Sequence, residues 1–247
     1  MFTTFELEWP WIGLGAGVVL AAMLFATDAL RADRSVSRWR DPAWLGWLGA
    51  VVYLLHNFEE YGIAADGVAN AFPDEMCTML GLGAYPSCAI PTEFFAYVNL
   101  TLVWVVAPLC AILARRYVIF GFVFFSVVFV NVFVHVGGAI AARAYNPGLV
   151  TALVLFLPAS IWAGIVFLQG REPRLRVWRL IVIVVLGVVA HGVLILSIVL
   201  FTRGVIPAGV LDALQVVNGL IVLLGGALLQ RSLRSRVRVA AAPRDVG

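Results

Sequence analysis

The 247-residue chain contains no lysine, and Asp, Glu and Arg together make up only 13% of it. Such a shortage of charge excludes an ordinary water-soluble domain, where about a quarter of residues are charged. There is no low-complexity linker and no internal repeat, which argues for one domain over 1–247 and against the inverted repeats of many carriers. What the chain has instead is hydrocarbon: 62% of its residues are apolar and its mean hydropathy is strongly positive. This composition predicts an all-α, polytopic membrane protein.

Seven stretches are long enough to cross a hydrocarbon core of about 30 Å, which takes about 20 helical residues. They run Trp11–Leu30, Ala43–Tyr61, Thr92–Ala114, Val118–Ala141, Leu149–Leu168, Leu180–Phe201 and Ala208–Gln230. The second is the least typical, because two glutamates sit at its end. Glu6 and Glu8 before the first stretch, and its length, do not fit a cleaved signal peptide. Short connections predict antiparallel neighbours in a compact bundle.

Arginine sets the expected orientation. Of the 17 Arg, 15 fall in alternate connections: residues 31–40, 115–116, 171–179 and the tail 231–247. Only Arg143 and Arg203 lie on the other side. By the positive-inside rule the N-terminus is outside and the C-terminus cytoplasmic, as expected of a plasma-membrane protein. The net charge of +3 follows from this signal and calls for no nucleic-acid partner; the partner expected is the bilayer itself. The basic tail 231–247 reads as a flexible stop-transfer segment that can touch anionic lipid.

The outer loop 62–91 is the one long connection, rich in Gly, Pro and acids, and serves as a lid or a simple cap. Cys77 and Cys88 share it, in an oxidising setting, so a disulfide between them is expected, whereas Cys110 lies within a span. Pro108, Pro158 and the pair Gly137-Gly138 read as packing features that membrane helices tolerate.

All three histidines lie inside predicted spans. His56 belongs to His56-Asn-Phe-Glu59-Glu60, where the imidazole and both carboxylates share a helical face. His135 stands one turn from Asn131 on the fourth span, and His191 lies on the sixth. All three are expected about 8–15 Å below the outer helix ends. Three imidazoles and two carboxylates form a ligand set for Zn, Fe or Mn, so the candidate metal ligands are His56, Glu59, Glu60, His135 and His191. A bound cation also accounts for two charges beside lipid. Either Glu59 or Glu60 is then a candidate catalytic base. Asn131 orients His135 or binds substrate. Glu93, Asn99 and Tyr145, with the stripe Asp212, Gln215 and Asn218, form a second layer of candidates around the same level.

Three motifs carry a resemblance: His56-Asn-Phe-Glu59-Glu60, Asn131-Val-Phe-Val-His135, and Tyr145-Asn-Pro147-Gly148-Leu-Val-Thr151 before a hydrophobic span. In this order they resemble the HXXEE-motif family of bacterial integral membrane proteins of unknown function. The resemblance implies a shared membrane fold and polar site but no activity. The third motif also has a local explanation, since Asn-Pro-Gly is a turn sequence whose simplest role is to close a helical hairpin.

These features favour a membrane-embedded, metal-dependent enzyme, a hydrolase or non-haem oxidoreductase, acting on a lipid-like or prenyl substrate in the outer half of the bilayer. Two other readings use the same residues. One is a metal-free, terpene-type cyclase with Glu59 or Glu60 and Asp212 as acids. The other is a proton- or cation-coupled carrier.

Overall fold

The computed structural model describes residues 4–169 and 173–240. Besides a 3-10 turn at Arg38–Arg40, the described residues form eight helices: α1 (Thr4–Ala26), α2 (Pro42–Tyr61), α3 (Ala71–Met79), α4 (Thr92–Leu113), α5 (Phe120–Ala142), α6 (Leu149–Leu168), α7 (Pro173–Thr202) and α8 (Ala208–Ala240). Among the described residues there is no strand beyond one isolated bridge, Ile63 to Ala69. Six helices (α1, α4, α5, α6, α7 and α8) contain segments long and apolar enough to cross a membrane. Their exposed faces carry side chains such as Val19, Ile140, Val154 and Leu228, an apolar surface that water would not tolerate.

The remaining expected span, the second, is α2, which is equally long but less apolar, and its position explains why. It runs through the middle of the bundle against α1, α4 and α5, with 16 of its 20 residues buried. Its side chains meet protein rather than lipid, which frees the sequence to place polar groups there. Backbone contact is close: a Cβ on Gly46 would lie 2.9 Å from the Cα of Ala111. Asp41 starts the helix by accepting from the amides of Ala43 and Trp44 at 2.8 and 3.2 Å, while its other oxygen accepts from Ala32 and Asp33, both at 2.8 Å. This N-cap, followed by Pro42 at the first helical position, fixes where α2 enters.

Two expected spans contain π-helical turns, Leu100–Val106 in α4 and Ala152–Phe156 in α6. Each lies just before a proline, Pro108 or Pro158. Proline has no amide hydrogen and its ring crowds the carbonyl four residues back, so a widened turn accommodates it. Helix α1 begins earlier than Trp11 and ends at Ala26. The described part of the basic tail continues α8 to Ala240; residues 241–247, like Arg171, lie outside the described residues.

The 62–91 connection is more ordered than a plain loop. It contains α3, is crosslinked by the Cys77–Cys88 disulfide, and packs Cys77 and Ile90 with Trp9, Tyr61, Phe94 and Phe95 in a core at that end of the bundle.

Candidate metal centre

Helical spacing places His56 and Glu60 one turn apart on α2, and α5 brings His135 to the same point. His56 Nε2 lies 3.4 Å from Glu60 Oε2, and His135 Nε2 lies 3.3 Å from Glu60 Oε1. One ligand atom from each of the three residues falls within 4.8 Å of the others. The group is sealed from solvent: His56 is 0%, His135 1% and Glu60 5% exposed.

The other ring nitrogens determine which atoms face inward. His135 Nδ1 is 2.6 Å from Asn146 Oδ1, and the Asn146 amide nitrogen donates to Glu75 Oε1 at 3.1 Å. The Asn146 oxygen can only accept, so Nδ1 carries a proton and Nε2 is the atom His135 turns toward Glu60, as a ligand lone pair when a cation is bound or as N–H when it is not. His56 Nδ1 is 2.7 Å from the Thr151 hydroxyl, which donates in a very short bond to Glu59. The hydroxyl therefore accepts from Nδ1–H, and His56 likewise turns Nε2 toward Glu60. Asn131 Nδ2, 3.1 Å from His56 Nε2, is the one donor near this set, and no donor reaches His135 Nε2. Two imidazole nitrogens and both oxygens of a carboxylate thus converge in a dry interior. A buried carboxylate there calls for positive charge, which a bound cation or a proton on an imidazole supplies. Rings held through Nδ1 by acceptors are also how proteins orient metal-binding histidines.

Glu59, expected as a ligand or base, points elsewhere. Successive helical residues diverge by about 100°, and its carboxylate lies at the N-terminus of α6. There it accepts from the Val150 amide at 3.1 Å, the Thr151 amide at 2.7 Å, the Tyr145 hydroxyl at 2.6 Å and the Thr151 hydroxyl. A carboxylate satisfied by the orphan amides and positive dipole end of a helix needs no metal to balance it. Burial, followed by the bond to Glu59, raises the pKa of Tyr145, so its hydroxyl stays protonated as a donor.

The 145–151 segment does more than close a hairpin. Gly148, at φ +91°, has its backbone against the centre: an added Cβ would lie 2.6 Å from His135 Cε1, 2.8 Å from His56 Cε1 and 3.0 Å from Glu60 Cγ. Asn146 and Thr151 hold the two rings, and Tyr145 holds Glu59. Sequence reasoning passed over Asn146, Gly148 and Thr151 as turn chemistry, although all three lie within the third motif. Glu75 carried no signal, being one acid in a polar loop. Gly138 packs against the Asn146 amide, whereas Gly137 faces open space.

His191 stays outside the three-residue group. Its Nδ1 is 2.9 Å from Gly187 O and its Nε2 is 3.4 Å from Asn131 Oδ1. Together with Asn99, Asn131 and Asn218 it lines a cavity of about 120 Å³ that reaches Glu60 and is otherwise walled by apolar side chains such as Phe94, Phe95 and Leu194. Gln215 bonds Ser197 at 2.8 Å. Glu93, which accepts from Thr92 at 3.4 Å, repels Asp212 electrostatically across the ends of α4 and α8. On the far side of the 145–148 turn an open cavity of about 450 Å³ is lined by Asp66, Asp74, Glu75, Tyr145 and Pro147.

Fold and site together define a helical membrane protein with a buried His–Glu–His group able to hold a metal. Residues 47–163 match the family described as "Protein of unknown function with HXXEE motif". The match runs from within α2 to within α6 and contains all three converging residues and the 145–151 turn, while His191 and α8 fall outside it. No curated protein and no solved structure matches.

Proposed function

We propose that the protein is a membrane-embedded metalloenzyme that holds a divalent ion through His56, Glu60 and His135 and acts on a lipid-like substrate in the adjoining cavity. The observation that carries this reading is the convergence of His56 Nε2, His135 Nε2 and both Glu60 oxygens in a buried group, with the rings oriented by Asn146 and Thr151. Two nitrogens and one carboxylate suit Zn, Fe or Mn and leave coordination positions open for a reactant. When bound, such an ion supplies Lewis acidity or, with iron or manganese, redox chemistry.

The chain's own residues do the rest. Glu60 can ligate through one oxygen and accept a proton through the other. Asn131 lies between the centre and the cavity, where its amide reaches both His56 and His191. Gly148 packs its backbone against the centre and the cavity reaches Glu60, so a reactant approaches from the cavity. The cyclase reading is weaker, because the Glu59 oxygens are occupied as acceptors and Asp212 sits beside Glu93 rather than Glu60. The arginine distribution supports an orientation with the 62–91 end outside, which puts the centre in the outer half of the bilayer.

Metal analysis of protein purified under metal-replete conditions tests the reading. About one divalent ion per chain is expected, retained by His191→Ala and lost from His56→Ala, Glu60→Ala and His135→Ala. Wild-type protein without stoichiometric metal would overturn it. For orientation, a periplasm-dependent reporter fused after Asp66 should be active and one fused after Arg116 silent; the opposite pattern reverses the assignment.

A further inference from the structure

The cavity beside Glu60 holds a buried acceptor that no donor meets, next to a carboxylate. Asn218 Nδ2 donates to Ala190 O at 2.9 Å, which leaves Asn218 Oδ1 buried and beyond the reach of any protein donor. His191, on the same wall, has Nδ1 2.9 Å from Gly187 O and Nε2 3.4 Å from Asn131 Oδ1. Glu60 adds a carboxylate to the same wall, and no Arg lines the space. Two hydroxyls, Tyr53 and Tyr61, also line the space; Tyr53 accepts from Asn131 at 3.5 Å and keeps its own hydrogen.

The pattern extends along α8. Asp212 Oδ1, Gln215 Oε1 and Asn218 Oδ1 are all buried without a donor, spaced three residues apart and covering about 9 Å of helix. Gln215 is 2% exposed, and its amide nitrogen is committed to Ser197. Glu93 adds a second carboxylate beside Asp212. Buried carbonyls left unmet cost free energy, and helix packing alone would be served as well by Ser or Ala. Of the three, Asn218 lines the cavity, and its bare acceptor beside Glu60 is complementary to a ligand that brings a donor.

We propose that this cavity takes an amphiphile whose head group donates hydrogen bonds, a hydroxyl or an ammonium on an aliphatic or prenyl chain, and that it rejects anionic carboxylate and phosphate heads. The head lies among Asn218, His191 and Glu60, and the chain lies against Phe94, Phe95 and Leu194. The inference rests on the proposed function in treating the cavity as the substrate site, but it does not need the metal.

Melting temperatures of the purified full-length protein in detergent at pH 7, titrated with octylammonium, 1-octanol or octanoate, test it. At least one of the two donor-headed probes should raise the melting temperature at concentrations where octanoate has no effect, and which one does identifies the head group. Asn218→Leu should weaken that binding about tenfold or more, the worth of one buried hydrogen bond. Octanoate matching both other probes, or Asn218→Leu binding them as wild type does, would overturn the proposal. His135→Ala, whose side chain does not line the cavity, separates the two ideas. Donor preference in a protein that never holds metal defeats the metalloenzyme reading alone, whereas stoichiometric metal without donor preference defeats this inference alone.

Discussion

Gly148→Ala is the sharpest perturbation of the centre, because one methyl group meets all three of its residues. The added Cβ would lie 2.6 Å from His135 Cε1 and 2.8 Å from His56 Cε1, where ordinary contact begins near 3.4 Å. The His135 ring must therefore retreat by about 0.8 Å, several times the tolerance of about 0.2 Å on a metal–ligand distance. Alanine at φ +91° also carries a backbone cost of about 1–2 kcal/mol, and crowding adds about 1–3 kcal/mol. Gly204 provides the control: it too has positive φ, +70°, but an added Cβ there meets nothing within 4 Å. Gly204→Ala should lose about 1–2 kcal/mol and keep its metal. Gly148→Ala should lose about 2–5 kcal/mol and bind metal at least tenfold more weakly. Equilibrium unfolding in mixed micelles and metal content after mild chelation read the two effects. Equal stability and equal metal content in the two variants would refute the placement of Gly148 against the ligands.

The paired glutamates should separate under conservative substitution. Glu59→Gln turns an amide toward hydrogen-bond donors and should cost about 1.5–3 kcal/mol of stability while leaving metal content unchanged, whereas Glu60→Gln should empty the centre; the reverse assignment would sink the geometry. Asn146→Ala removes the acceptor that orients His135 and should weaken metal binding about 10–100-fold without abolishing it, measured by competition with a chelator of known affinity. In native protein without reductant, Cys77 and Cys88 should resist alkylation, and Cys77→Ser with Cys88→Ser should lower stability by about 2–4 kcal/mol; free thiols at both positions in freshly isolated protein would contradict the crosslink.

Long apolar runs made the helices legible in the sequence, since lipid imposes length and hydrophobicity on each span separately. His56, Glu60 and His135 were legible as well, because ionisable groups are costly within a span and helical spacing pairs the first two. The different fate of Glu59 was not. Adjacent carboxylates look alike in sequence, and only the N-terminus of α6, 92 residues further on at Thr151, decides that one is capped and the other left to the centre. Asn146 and Gly148 were hidden for a related reason. A turn motif explains itself locally, so nothing in Asn-Pro-Gly announces that its amide orients a ring or that its glycine is needed for close approach as well as for positive φ. His191 erred the other way, its helical level being right and its lateral position one residue, Asn131, too far from the group.

The distance between Glu59 and its partners also has a consequence in time. At about 5–20 residues per second, the α6 amides that meet the Glu59 carboxylate are synthesised roughly 5 to 20 s after it, and His135 follows Glu60 only slightly sooner. During that interval α2 is a nascent segment bearing two unmatched acids, less apolar than the six helices around it. Its residence in the bilayer during synthesis therefore depends on neighbours that do not yet exist. Truncations ending before α5 should accordingly leave α2 poorly inserted, and those extending past Thr151 should rescue it.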